Sequence, residues 1–140
     1  MPNLIEVLPE AGDFATLIEA LEAASLTEFL RGQGPFTLLA PTDDAFAALD
    51  QDVLNKLLAD QERLNDLLRY HVLRGRYTFV DLEGISTVTT LEGSELQVDA
   101  EDGVRLDEAS VVESDIEADN GIIHVLDQIM LPERFLYDQG

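Results

Sequence analysis

The sequence contains no cysteine and no tryptophan. Without thiols there is no disulfide, no cysteine nucleophile, no iron–sulfur ligation and no thiolate zinc site. Positive charge is also scarce. Eight Lys and Arg stand against 29 Asp and Glu, for a net charge of -21 over 140 residues. Lys56 is the only lysine. So anionic a surface does not suit a general nucleic-acid binder or a polybasic membrane binder, because both meet phosphate with basic groups. No apolar run approaches the ~20 residues of a membrane span, so direct insertion is not expected. No basic start followed by a continuous apolar segment marks a secretory leader in this chain. No glycine-rich phosphate loop is present, and the cluster Arg69, Arg74 and Arg76 lacks the G-x-x-x-x-G-K-[ST] pattern.

What is present has globular proportions: 46% hydrophobic and 26% charged residues. The length fits one domain, 1–140, able to bury a core without staples. Charge is uneven. Residues 1–80 carry 13 acids and 6 bases, whereas residues 81–140 carry 16 acids and 2 bases. The plain reading of the acidic second half is solubility or salt tolerance. The sharper one is a face for cations or a basic partner.

The first half reads helical. Asp13 is expected to cap a helix carrying Phe14, Leu17, Ile18 and Leu21. Ser25 or Thr27 restarts a short helix through Phe29 and Leu30, and the stretch 32–35 breaks it. Residues 36–40 form an apolar run of strand formers bounded by Pro41, expected to be a buried strand. Thr42 follows as an N-cap, with Asp43 and Asp44 at the positive end of the next helix dipole. That helix turns Ala45, Phe46 and Leu49 inward. Two more helices carry Val53, Leu54, Leu57 and Leu58, then Leu64, Leu67 and Leu68. From Ile85 the pattern alternates. Strands are expected over 86–91, 96–100, 104–106 and 111–116, with Asp102-Gly103 a hairpin signal. The last and most apolar strand covers 122–130. Helices first and antiparallel strands afterwards give an α+β class.

Tests for chemistry fail on local signal. There is no G-x-S-x-G or H-E-x-x-H pattern, so neither a catalytic site nor a catalytic metal is expected, and no cofactor. The two histidines, His71 and His124, lie in apolar surroundings. Either could join Asp115 or Asp127 around an ion, but buried imidazoles more often tie elements together by hydrogen bonds. The stretch 99–103 looks superficially like a calcium loop. Gly103 stands fifth instead of sixth, and Ser110 occupies the twelfth place where a bidentate Glu belongs.

Two long stretches are more specific. Residues 37–46, Thr-Leu-Leu-Ala-Pro-Thr-Asp-Asp-Ala-Phe, closely resemble the first signature box of fasciclin-like (FAS1) domains. Residues 120–132, Asn-Gly-Ile-Ile-His-Val-Leu-Asp-Gln-Ile-Met-Leu-Pro, resemble the second. Tyr70-His71 between them is similar to the family's tyrosine–histidine segment. The motif positions are Thr37, Ala40, Pro41, Thr42 and Phe46, then Asn120, Gly121, His124, Asp127 and Pro132. The resemblance implies N-terminal helices packed on a mainly antiparallel β-wedge, with both boxes inside it. It implies a non-enzymatic adhesion or interaction module that is secreted, periplasmic or at the cell surface. A single-domain bacterial member, monomeric, is the expected form, with a cell-surface or matrix protein, or a polysaccharide, as partner. In animal matrix members integrin contact has been attributed to an Asp-Ile pair and to the tyrosine–histidine segment. The matching residues here are Asp115 and Ile116, and Tyr70 and His71. Glu117 stands where an apolar residue usually follows that pair. The alternative is a small-ligand carrier or sensor, which needs a concave, largely apolar pocket.

Overall fold

The computed structural model describes residues 3–130 apart from 33, 102 and 108. Helices come first. In α1 (Leu4–Ala11) Asn3 and Glu6 form a capping box. It is followed by α2 (Ala15–Ala23) and α3 (Thr27–Leu30). Strand β1 (Phe36–Pro41) leads into α4 (Asp43–Ala47), α5 (Gln51–Ala59) and α6 (Gln61–Arg69). Then come β2 (Val72–Arg74), α7 (Phe79–Glu83), β3 (Thr87–Thr89), β4 (Glu95–Asp99), β5 (Arg105–Leu106), β6 (Ala109–Ala118) and β7 (Gly121–Leu126).

The strands form one sheet in the order β2-β1-β7-β6-β5-β4-β3. Only β1 and β7 run parallel, in register from Phe36↔Gly121 to Pro41↔Leu126; the other pairs are antiparallel. The two box sequences are therefore neighbouring strands. The sheet also curls back on itself, because Leu73 of β2 bridges Thr90, just past β3.

Each face of β1 and β7 has its own core, as expected for strands covered on both sides. Leu38, Ala40, Ile123 and Val125 pack with Leu8, Leu17, Leu21, Phe46, Leu64 and Leu68 of the helices. Leu39 and Leu126 face the other way, toward Leu73, Leu82, Leu96 and Leu106 inside the curl. Ile129 packs against both clusters.

Several local expectations are corrected. Asp13 does not cap α2: it sits at φ 59, and Phe14 occupies the N-cap without a side-chain bond. The cap comes from Asp43, whose Oδ1 accepts the Thr16 N–H at 2.8 Å. The closing strand ends at Leu126, four residues early. Asp127 and Ser110 exchange bonds there: Ser110 N–H donates to Asp127 Oδ1 at 2.9 Å and Asp127 N–H to Ser110 O at 3.1 Å. Leu58 is exposed and Leu49 only half-buried. Helices α1 and α7 lie where the apolar pattern suggested none.

Candidate interaction site

The motif residues of the boxes serve the interior. Thr37 is fully buried; its hydroxyl donates to Gly75 O at 2.7 Å and accepts from Tyr77 N–H at 2.8 Å. Ala40, Pro41 and Phe46 are buried. Thr42 caps α4 through Ala45 N–H at 3.1 Å. Asn120 joins three segments. Its Oδ1 accepts Leu4 N–H at 3.0 Å, and its Nδ2 donates to Leu30 O at 2.6 Å and Gly32 O at 2.7 Å. Gly121 lies against the backbone carbonyl of Phe36, with no room for a Cβ. Pro132 lies outside the described residues.

Tyr70 and His71, expected to meet a partner, are interior. Tyr70 is buried and its hydroxyl donates to Asp107 Oδ2 at 2.6 Å. His71 is 1% exposed. Its Nδ1 donates to Leu67 O at 2.9 Å and its Nε2 accepts Met130 N–H at 2.9 Å, which assigns a neutral ring. Burial pushes its pKa down to about 4. Both rings are spent on the fold, and neither is offered to a partner in this conformation.

His124 is fully buried too. Its Nε2 donates to Tyr77 O at 2.6 Å, and its Nδ1 accepts the Asp115 N–H at 3.3 Å. Desolvation holds its pKa below the usual imidazole range. With both nitrogens of each imidazole held by backbone, neither is placed to act as a base or to bind a metal. Among the described residues no three His, Asp or Glu side chains converge as metal ligands.

Asp115 is different. It sits on the surface where the register of β6 shifts twice, between Val111 and Glu113 and between Glu113 and Ile116. Its φ is 58, a left-handed conformation that Asp tolerates better than most residues. Two bonds fix this bend. His124 takes the Asp115 N–H from below, and Asp115 Oδ1 accepts Phe79 N–H at 3.0 Å from the first turn of α7. Beside it, Arg76 pairs with Glu117 at 2.6 Å. Ile116 is half-buried against the helix-side core. Val80, the residue after Phe79, is 72% exposed. The result is a shelf: an oriented carboxylate whose second oxygen has no protein partner among the described residues, an ion pair and an exposed valine.

The α7 part of this shelf was missed in the sequence, although a signal existed. Thr78 and Asp81 form a capping box, with Asp81 N–H on Thr78 Oγ1 at 3.2 Å and Thr78 N–H on Asp81 Oδ2 at 3.0 Å. That is the [ST]-x-x-[DE] pattern ahead of an apolar residue. The Thr78 backbone bond, then the hydroxyl bond, hold the Asp81 carboxyl below its ordinary pKa.

The paired boxes and the helices around them agree with comparisons to known proteins. Residues 12–132 match the family model described as Fasciclin domain. The chain belongs to the fasciclin domain family. The uncharacterized protein sll1735 of Synechocystis sp. is 44% identical over 94% of this fasciclin chain and 98% of its own length. Human periostin is 33% identical over 93% of the chain, which corresponds to 16% of periostin. A solved FAS1 domain pair from the insect cell adhesion molecule Fasciclin I superposes with a TM-score of 0.82 over 97% of this chain and 53% of that one, at 22% identity. The fold is thus the α+β FAS1 fold.

Surface clefts of this fasciclin domain are of mixed polarity. One of about 510 Å³ is lined by Asn3, Glu6, Arg31, Arg76, Asp119 and Asn120 among others. A carrier of apolar ligands draws no support from such a wall.

Proposed function

We propose that this fasciclin domain is a non-enzymatic adhesion or interaction module working outside the cytoplasm, and that it meets a cell-surface or matrix partner through the Asp115 shelf. The carrying observation is the oriented Asp115 carboxylate, held exposed at a left-handed bend by His124 and α7. A fixed carboxylate offers a hard oxygen ligand to a metal ion on a partner, or an acceptor pair to an arginine. Ile116 supports the shelf from beneath, and Val80 adds apolar contact. Family membership and the likeness to an insect cell adhesion molecule support this reading. Each domain has one such shelf, so firm attachment calls for several copies on one surface.

The test is Asp115→Asn. Asparagine keeps the left-handed bend and the acceptor for Phe79 N–H, so the melting temperature stays within about 2 °C, as for surface changes that touch no core contact. Attachment to the host's own envelope material, measured with several copies displayed on beads, is expected to fall at least about tenfold, the usual scale for a central charged contact. Unchanged attachment of the folded variant removes the shelf from the interface. Replacing Asp115 by Ala is the poorer probe, because it strains the bend and leaves the Phe79 N–H of α7 without its side-chain acceptor.

A further inference from the structure

The seam where the sheet returns to itself is only partly closed. Leu73 and Thr90 form a bridge, and Leu91 N–H reaches Val72 O at 2.7 Å. Next to it lies a cleft of about 430 Å³, lined by Arg74 and Tyr77 on one side and by Ile85 and residues 87–91 on the other. Alternate side chains of a strand point to opposite faces, so a wall of five consecutive residues is a strand edge and not a face. Hydrogen-bond parity agrees. Thr90 N–H donates to Ser94 O and Val98 N–H to Ser86 O, both at 2.8 Å, so the even residues 86, 88 and 90 face β4. Thr87 and Thr89 stand opposite Gln97 and Glu95 at the intervening, non-hydrogen-bonded positions. Their backbone N–H and C=O groups therefore point away from β4, to the side on which Leu91 meets Val72; the Leu73–Thr90 bridge engages the Thr89 C=O on the Arg74 N–H, which leaves the Thr87 N–H and C=O and the Thr89 N–H turned to the cleft.

The charge of this cleft is unusual for the molecule. The chain has 29 acids, yet none lines it, while Arg74 does. The Arg74 guanidinium is exposed and has no ion-pair or hydrogen-bond partner among the described residues. The arginines of the 510 Å³ cleft, by contrast, are answered: Arg31 by Glu28 at 2.9 Å and Arg76 by Glu117 at 2.6 Å. Tyr77, Ile85 and Leu91 are half-buried and give the seam an apolar wall. The Thr90 hydroxyl is buried there with no partner among the described residues, a sign that the seam is unfinished.

We propose that this cleft receives an extended peptide segment of a partner, added as a strand on the edge of β3, with one carboxylate side chain set on Arg74. A backbone is the occupant that matches a row of alternating donors and acceptors, and the unanswered cation selects an acid on it. None of these residues belongs to the Asp115 shelf, so the two readings stand or fall separately.

The experiment is an amide-resolved NMR titration of the full chain with the capped pentapeptide Ac-Thr-Val-Glu-Val-Thr-amide and its Gln counterpart. Saturable shifts are expected at Arg74, Thr87, Thr89 and Leu91. At low ionic strength the Glu peptide is expected to bind about tenfold tighter than the Gln peptide, and Arg74→Gln to erase that ratio. Thr87→Pro removes an edge donor without touching the bonds to β4, and is expected to lower the affinity of both peptides. A pentapeptide with alternate amides N-methylated gives the same readout without altering the protein, and is expected to bind neither form. Scattered or non-saturating shifts overturn the proposal. So does a Glu-to-Gln ratio that survives Arg74→Gln, or N-methylated peptide binding as well as the parent. Sodium hexanoate shifting these amides where the peptides do not would make the cleft a small-acid site and overturn the peptide assignment.

Discussion

Strands β7 and β6 lie side by side and are treated in opposite ways. Every residue of β7 is buried, as is every residue of its parallel neighbour β1. In β6 only Ala109 and Ala118 are buried, and its register breaks twice. The first pair is wedged between two cores and has no slack. The second forms the skin, where a bend or a charge can change without emptying a core. The family signature resides in the first kind of strand, and the chemistry a partner can reach resides in the second. That is why the boxes establish the fold while saying little about what is bound.

The sharpest way to break this comparison is a single methyl group. Gly121 opens β7 against the Phe36 carbonyl, so a Cβ there has to push two paired backbones apart. Gly121→Ala is expected to cost about 3 kcal/mol or more, the upper range for overpacking, and to leave the chain largely unfolded at 37 °C. Gly84→Ala is the control from the skin. Gly84 closes α7 at φ -93, and the atom nearest to an added Cβ is Asp81 O at 3.6 Å. That change is expected to shift stability by no more than about 0.5 kcal/mol. Urea denaturation of both variants checks the pair; equal effects would mean that the β1–β7 contact is looser than this packing requires.

How much was legible follows the same division. The run 36–40 was readable as a buried strand because four apolar residues and a threonine stand in a short run between breakers, and Thr42 as a cap because its pattern is local. Facing of Ile123 and Val125 against Ile122, His124 and Leu126 followed from the two-residue period of a strand. Asp43 capping α2 was not readable, because Thr16 lies 27 residues away in sequence. Core packing of Tyr70 was readable from its apolar neighbours, but the partner of its hydroxyl was hidden for the same reason, since Asp107 comes from across the curl. The bend at Asp115 was invisible: nothing in Glu-Ser-Asp-Ile-Glu distinguishes a bulged strand from a regular one. The pair Asp115 and Ile116 entered through family likeness, and only the structure shows which of its atoms are free.

Acid is expected to act on the interior next. His71 is neutral in the fold with its pKa lowered to about 4, against an ordinary value of 6.5. Above pH 6.5 neither folded nor unfolded chain protonates it. As pH falls from 6.5 toward 4 the unfolded chain takes the proton and the fold cannot, so stability is lost across that window. The gap corresponds to about 3 kcal/mol by pH 4, and His124, lowered in the same direction, adds to it. Free Asp and Glu side chains have reference pKa values near ~4, so the part of the window above about pH 5.5 weighs chiefly the imidazoles. His71→Asn is expected to start less stable but to lose less between pH 7 and 5. Parallel pH curves for the variant and the parent would show that the ring is not kept neutral.

Salt is expected to act on the skin, and more gently. The second half of the chain carries most of the excess charge, and its strands β3 and β4 are exposed on alternate residues. Several ion pairs of the first half are local to one helix or its cap, such as Arg31–Glu28 and Arg69–Asp66, and answer part of its charge. Raising NaCl from 10 to 200 mM shortens the screening length from about 30 Å to under 10 Å, which removes most repulsion between surface carboxylates. The melting temperature is expected to rise by a few degrees, on the order of 1 kcal/mol. Location decides whether the acidic half is responsible. Changing the exposed Glu95, Glu101 and Glu113 to Gln is expected to flatten the salt response more than changing the exposed Glu10, Glu19 and Glu22. If both triple variants flatten it equally, repulsion follows total charge and not its placement, and the electrostatic contrast between the halves has no physical consequence. A response already flat in the parent would show that the carboxylates stand too far apart to repel at all.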